Sequence, residues 1–355
     1  MFHGLSLFVL IPIFIAGAIV VWIAGTQLSN TTDTLDDRFH LGQALGGLIF
    51  LAIATNLPEI AITATAGVTH NLGLAIGNIL GGIAIQTLVL VLLDAFGLGG
   101  RDPLTYRAAS LELVLEGTML AAILVVAIMG TQLPKSLIFA RVTPGSLLIL
   151  VLWLVGLWLL SKARKGLPWQ DSGRAPDRSE PPPPQSKQQD SKDKKRSTGG
   201  TLLIFGIASL VTLVAGVALE ESSNAIADKI GLSNVLFGAT FLAAATALPE
   251  VSTGFASVKL KQFELAVSDI FGGNAFLPVL FLLADVLSGQ STLTQAKNSD
   301  IYLACLGVLL TAVYIYGLIF RPRLQVLRMG IDSFIVLVLY ILGIGGLVAI
   351  ALTTH

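Results

Sequence analysis

The hydrophobic pattern divides the chain into stretches of about 20 almost wholly apolar residues. They run over 5–25, 42–68, 71–96, 108–130, 144–161, 201–219, 234–258, 263–288, 300–319 and 332–352, separated by polar or Pro/Gly breaks. That is the length a helix needs to cross the hydrocarbon core, so the pattern predicts an all-α polytopic membrane protein with ten transmembrane helices. The first stretch has the apolar core of a secretory leader, but no Lys or Arg precedes it and the run is long, so it is read as a retained span. Between the fifth and sixth stretches the pattern stops. Residues 162–199 contain four consecutive prolines, Pro181 to Pro184, and then QSKQQDSKDKKRSTGG, which predicts a disordered linker between halves 1–161 and 200–355. Its Lys192, Lys194, Lys195 and Arg196 are suited to anionic lipid or a regulatory contact, although a solvated tether is the simpler expectation.

Composition sharpens this picture. The chain is 54% hydrophobic and 12% charged, with mean hydropathy +0.81, far from soluble averages. The linker holds 15 of the 44 charged residues, leaving 29 for the other 317 positions. Zero net charge gives no basic excess for neutralising phosphates, which argues against nucleic acid as a partner and leaves inorganic cations and the bilayer. A lone cysteine, Cys305, excludes an intramolecular disulfide or a Cys cluster and is expected to pack as a small apolar residue. With both termini outside, inward segments carry 18 Lys and Arg against 4 outward, or 8 against 4 without the linker. The positive-inside rule then places the linker in the cytoplasm, with the plasma (inner) membrane as the expected location.

An internal repeat lies beneath the hydropathy pattern. ATNLPEIAIT at 54–63 matches ATALPEVSTG at 245–254 at a shift of 191, and the same shift aligns GNILGGIA at 77–84 with SDIFGGNA at 268–275 and Asp94 with Asp285. Thirteen of the 43 positions in 54–96 are identical. Two motifs sharing one offset imply a duplicated unit of five helices. An odd number makes the second copy cross the membrane in the opposite sense, so the pattern predicts two inverted-topology repeats, an arrangement that places transported substrate near the midplane.

The repeated residues suggest the chemistry. Pro58 and Pro249 have no N–H, which deprives the Ala54 and Ala245 carbonyls of their helical partners. Each proline is followed by an acid, Glu59 or Glu250, and an ionised carboxylate at a helix centre costs about 2.5 to 3.5 kcal/mol on insertion scales. Thr55, Asn56 and Thr246 sit one turn back, so the kinks are rich in oxygen and negative. Oxygen ligands without clustered Cys or His suit hard cations, and two carboxylates balance one divalent ion. Asn78, Gln86, Asp269 and Asn274 are further polar candidates, whereas the pairs Gly81-Gly82 and Gly272-Gly273 are expected to allow close helix packing. Glu112 and Glu116 are read as structural, and Asp94 and Asp285 as boundary residues near water.

Taken together, these residues resemble the sodium/calcium exchanger family of the calcium/cation antiporter superfamily, whose repeats carry a G-T-S-L-P-E type motif and a G-N-x-x-G-S-N type motif. The resemblance implies ten helices, external termini, a cytoplasmic linker and no cofactor, with calcium exchanged for sodium or protons. It implies that Glu59 and Glu250 bind calcium, aided by Thr55, Thr246 and the carbonyls around Ala54 and Ala245. The chain departs from the motifs at Asn56, Ala247, Gly82 and Gly273, where the family commonly has serine. A polar or acidic ligand of the family falls on Gln86 in the first copy and on Leu277 in the second. Competing readings are a proton-coupled calcium/cation antiporter or a sodium/proton antiporter, a passive channel and an intramembrane enzyme using paired acids. Against the enzyme, the chain lacks HExxH and GxGD motifs, and His3, His40, His70 and His355 all lie near span ends or termini.

Overall fold

The helices outrun their apolar cores. In the computed structural model, which describes residues 2, 4–39, 53–99, 102–108, 110–163 and 197–353, the first helix α1 spans Leu7–Phe39, well beyond the predicted end at residue 25. Its polar turns fold their hydroxyls back on the helix. Thr26 Oγ1 donates to Trp22 O at 2.7 Å, Thr32 to Leu28 O at 2.8 Å and Thr34 to Asn30 O at 2.9 Å. A hydroxyl bonded to the carbonyl four residues earlier needs no water, so the helix continues under cover.

In chain order α2 is Leu57–Val68, α3 Leu72–Leu92 with a π-helical continuation over Leu93–Gly97, α4 Leu104–Ala108, α5 Leu111–Thr131 and α6 Pro144–Ala163. The long helix α7, Thr198–Ile230, starts where Gly200 N donates to Ser197 Oγ and stops at Gly231, whose positive φ of 71° suits a residue without a Cβ. Next come α8 (Asn234–Phe237), a π-helical turn over Gly238–Leu242, α9 (Ala243–Thr246), α10 (Leu248–Lys259) and α11 (Phe263–Phe276). Pro278 interrupts the run before α12, Leu280–Ser288. The chain ends with α13 (Asn298–Phe320), a two-stranded hairpin of β1 (Gln325–Val326) and β2 (Met329–Gly330), and α14 (Ile331–Thr353). Eight described helices are long and apolar enough to cross a membrane, or nine if the pair bent by 42° around Ala247 is one span. The protein is a predominantly helical integral membrane protein. The predicted second stretch begins at 42, and residues 40–52, like residues 164–196 of the predicted linker, lie outside the described residues.

The 191-residue shift extends beyond the two motifs. Helices α1 and α7 are both 33 residues long with both ends offset by 191, as are α2 and α10, both of 12 residues. Leu72–Gly97 and Phe263–Ser288 share the same offset. The two long helices pack against each other. The main core lies among α3, α5, α11 and α13, with Phe271 and Tyr314 fully buried and Trp153 of α6 resting 5.2 Å from the Phe276 ring. Outside this core, apolar side chains such as Phe8, Leu210 and Leu342 point outward, as lipid contact requires.

Asp94 and Asp285 are not water-exposed boundary residues: they are 1% and 0% exposed. Each does lie near a helix end, but there the following loop folds back over it and supplies backbone donors. Asp94 accepts from Leu104 N at 2.8 Å and Gly330 N at 2.7 Å. Asp285 accepts from Thr292 N at 2.7 Å, Ser146 Oγ at 2.7 Å and Thr143 Oγ1 at 2.8 Å. Each acid therefore ties its own half to the start of the last helix of the other half. Asp285→Ala is expected to destabilise the folded protein by about 3 to 5 kcal/mol, because several buried donors lose a charged acceptor together. Thermal unfolding in detergent checks this, and an unchanged midpoint would refute the tie.

Two smaller expectations also meet the structure. Glu116 accepts from Ser268 Oγ at 2.9 Å, joining α5 to α11 in the structural role expected of it. Cys305 does not pack inside; it is exposed on the apolar surface of α13.

Candidate ion-binding site

Each LPE motif starts a helix at a break. Asn56 precedes α2 and Ala247 precedes α10, and each proline takes the second helical position, where an N–H would find no partner in any case. The break directs the next residue, the acid, away from lipid. Glu59 is 1% exposed, and neither carboxylate oxygen has a hydrogen-bond partner. Glu250 is half-buried, with its Oε2 sealed and unpartnered. The Glu250 carboxylate lies within electrostatic reach of Glu59 and Asp269, and the Thr246 side chain stands beside Glu59. Thr246 Oγ1 itself donates to Ala243 O at 3.2 Å. Two acids from the two halves thus share one buried region. Buried like charges at such separations repel strongly, and an added cation or proton removes the penalty.

The other candidates fall into groups. Ala54 and Ala245, 2% and 6% exposed, lie at the two breaks with buried Asn56 and Thr246 and half-buried Thr55, and Asn56 Nδ2 donates to Thr55 Oγ1 at 3.3 Å. Gln86 and Asn56 meet at Gly273: a Cβ added there would lie 3.7 Å from Gln86 Oε1 and 3.9 Å from the Asn56 amide. The equivalent place in the other half is filled with hydrocarbon, since a Cβ on Gly82 would meet Leu277 Cδ1 at 3.3 Å. Asp269 accepts from Thr253 Oγ1 at 3.3 Å beside Glu250. Asn274 directs its Nδ2 into α3, donating to Thr87 Oγ1 at 3.2 Å and Ile83 O at 3.3 Å, and leaves its Oδ1 unpartnered. Asn78 is fully buried with both amide atoms unpartnered.

Of the four glycines expected to serve packing, Gly81 does so, because a Cβ on it would collide with the Ala239 backbone. Gly272 has open space, Gly273 borders the polar side chains of Gln86 and Asn56, and Gly82 faces the Leu277 side chain. Sequence reasoning missed Thr253, Thr87 and buried Thr63, whose signal is weak because threonine is common in apolar helices. It also missed Gly25 and Gly216, which are themselves 191 apart. Gly25 seats α1 on Pro249, and Gly216 seats α7 on Pro58 and Ala61, with an added Cβ at 2.6 Å from Pro249 Cγ and 2.7 Å from Ala61 Cβ respectively.

The chain belongs to the sodium/calcium exchanger protein family, which it matches over residues 9–162 and 200–348, and it is a cation antiporter rather than an enzyme. The inner membrane protein YrbG of Escherichia coli strain K12 is 26% identical over 271 residues, covering 76% of this chain and 77% of YrbG. Human sodium/potassium/calcium exchanger 5 is 25% identical over 126 residues, 34% of this chain and 25% of that protein. Among solved structures, the H+/Ca2+ exchanger CAX superposes with TM-score 0.67 at 15% identity, covering 96% of this chain and 82% of that one. The sodium-calcium exchanger NCX_Mj superposes with TM-score 0.58 at 17% identity, covering 96% and 99%. At these identities the two structures establish the fold alone.

Proposed function

We propose that the protein exchanges calcium for sodium or protons by alternating access, with one calcium ion held at the midplane between Glu59 and Glu250. The observation that carries this reading is that two carboxylates from equivalent broken helices lie within electrostatic reach of each other, with both oxygens of Glu59 unpartnered. Two carboxylates neutralise one divalent ion, and Thr55, Thr246, Asn56, Gln86, Asn78, Asp269, Asn274 and the carbonyls at Ala54 and Ala245 are the further oxygen donors from which about six to eight ligands are drawn. The matching helix bounds support two five-helix inverted repeats, 1–161 and 200–355, giving ten spans with the termini outside and 162–199 in the cytoplasm. The inner-membrane description of YrbG supports the plasma membrane as the location. Calcium uptake into proteoliposomes under an imposed sodium or pH gradient tests the reading, and no uptake under either gradient would refute it.

One observation favours protons over sodium as the coupling ion. Leu277 fills the side of the site facing Gly82, and hydroxyls are lacking at Gly82, Gly273 and Ala247. Two carboxylates can alternate between calcium and protons with no other ligand. Family membership points the other way, so the two gradients are to be imposed separately.

The linker is expected to be dispensable. Replacing 171–196 with a Gly/Ser tether of equal length should leave basal exchange unchanged, because the ligands lie on either side of it. Complete loss of transport in a correctly inserted variant would assign the tract a further role.

A further inference from the structure

We propose that Glu220, with Ser223 and Asn234, forms a second cation-binding site on one approach to the midplane carboxylates, taking a partly hydrated calcium ion in transit. The proposal rests on the calcium-exchange reading above and extends it to the route by which the ion arrives. Glu220 lies on α7 and is 1% exposed, with Oε1 unpartnered. Ser223, 0% exposed and three residues further on the same face, has an unpartnered Oγ. Asn234, at the start of α8, uses its Nδ2 to donate to Asn71 Oδ1 at 3.1 Å and to Asn224 Oδ1 at 3.0 Å, which leaves its own Oδ1 unpartnered. The Asn71 side chain is beside Glu220, so Glu220, Asn71, Asn234 and Asn224 join into one polar nest, with Ser223 next to it one turn along α7. Three unpartnered oxygens of a carboxylate, a hydroxyl and an amide are the donor set of a hard cation. A sealed carboxylate with a free oxygen is costly unless a cation visits it.

The position of the nest connects it to the transport site. Asn71, Asn224 and Asn234 are half-buried and form its mouth, while Glu220 lies one turn deeper along α7. One further turn, about 6 Å along the axis, brings α7 to Gly216, which rests on Pro58 and Ala61 at the start of the helix that carries Glu59. From Asn71, which precedes α3, two turns lead to Asn78, whose two amide atoms are also buried and unpartnered. The repeat makes the feature one-sided. The position equivalent to Glu220 on α1 is Ser29, so this acid is not repeated and belongs to the one face toward which α7 runs. With the linker in the cytoplasm, that face is the outer one.

Equilibrium binding of radiolabelled calcium to the purified Glu59→Gln/Glu250→Gln protein tests this directly, because the midplane site is disabled there. Weak binding is expected to remain, to fall about tenfold on adding Glu220→Gln, and to persist with Glu220→Asp. In proteoliposomes, Glu220→Gln alone should raise the half-saturating calcium concentration about tenfold from the Glu220 side, leave it unchanged from the other, and keep the maximal rate. A purely structural Glu220 would not give this split, since Gln keeps the volume of the side chain and a polar group beside Asn71. Absence of residual binding in the double variant, or binding indifferent to Glu220→Gln, would overturn the proposal. Failure of the calcium-exchange reading is separate: it appears as no calcium flux in the unmodified protein, whatever the binding experiment reads.

Discussion

Replacing either Glu59 or Glu250 by Gln is expected to abolish coupled calcium transport while leaving the protein folded and inserted. The amide has nearly the volume of the carboxyl, so packing around α2 and α10 is kept. Neither oxygen of Glu59 has a hydrogen-bond partner to lose. The loss is electrostatic: one carboxylate cannot balance a divalent ion, and removing one partner from a buried charge cluster costs about 3 to 5 kcal/mol. That corresponds to a fall in affinity of about 10² to 4 × 10³-fold. Flux in proteoliposomes and thermal unfolding in detergent separate the two effects. A single variant that exchanged calcium at the normal rate would rule out a site shared between the halves.

The second large effect concerns the coupling ion. Leu277 is 0% exposed and lies against Gly82, whereas Gly273 faces the polar side chains of Gln86 and Asn56 with room for a Cβ. Serine at Gly273 therefore adds a hydroxyl to the polar region without displacing a neighbour, its Cβ falling at ordinary contact distance from Gln86 Oε1. Aspartate at Leu277 adds a carboxylate where hydrocarbon now excludes a cation. Gly273→Ser with Leu277→Asp is expected to increase sodium-driven calcium flux, and sodium should raise the thermal midpoint of the variant because the new carboxylate is costly when empty. If the unmodified protein already showed steep, multi-sodium dependence and no response to a pH gradient, ligand loss as the cause of weakened sodium coupling would be wrong.

Membrane segments, the 191-residue repeat and the two acids were readable from the chain because each depends on local properties: hydropathy over about 20 residues, the missing N–H of Pro58 and Pro249, and the cost of an unpaired charge in lipid. Helix ends were less readable. Hydropathy alone ended α1 at residue 25, whereas back-bonded threonines and packing against α7 carry it to Phe39. Asp94 and Asp285 were misread for a related reason: a carboxylate near a helix end suggests water until the loop that covers it is seen.

The sequence by itself determined that this is a polytopic membrane protein with a duplicated acidic motif, since burial in lipid constrains every span to be apolar and makes each exception conspicuous. Tertiary structure alone decided which exceptions meet. Glu59 within electrostatic reach of Glu250, Gln86 beside Gly273, Leu277 beside Gly82, and Gly216 on Pro58 bring together segments about 160 to 200 positions apart, set by how broken helices cross rather than by any local pattern. Hydropathy measures a residue against lipid. It carries no information about which partner relieves a buried charge, and in this protein the crossing of the broken helices decides that.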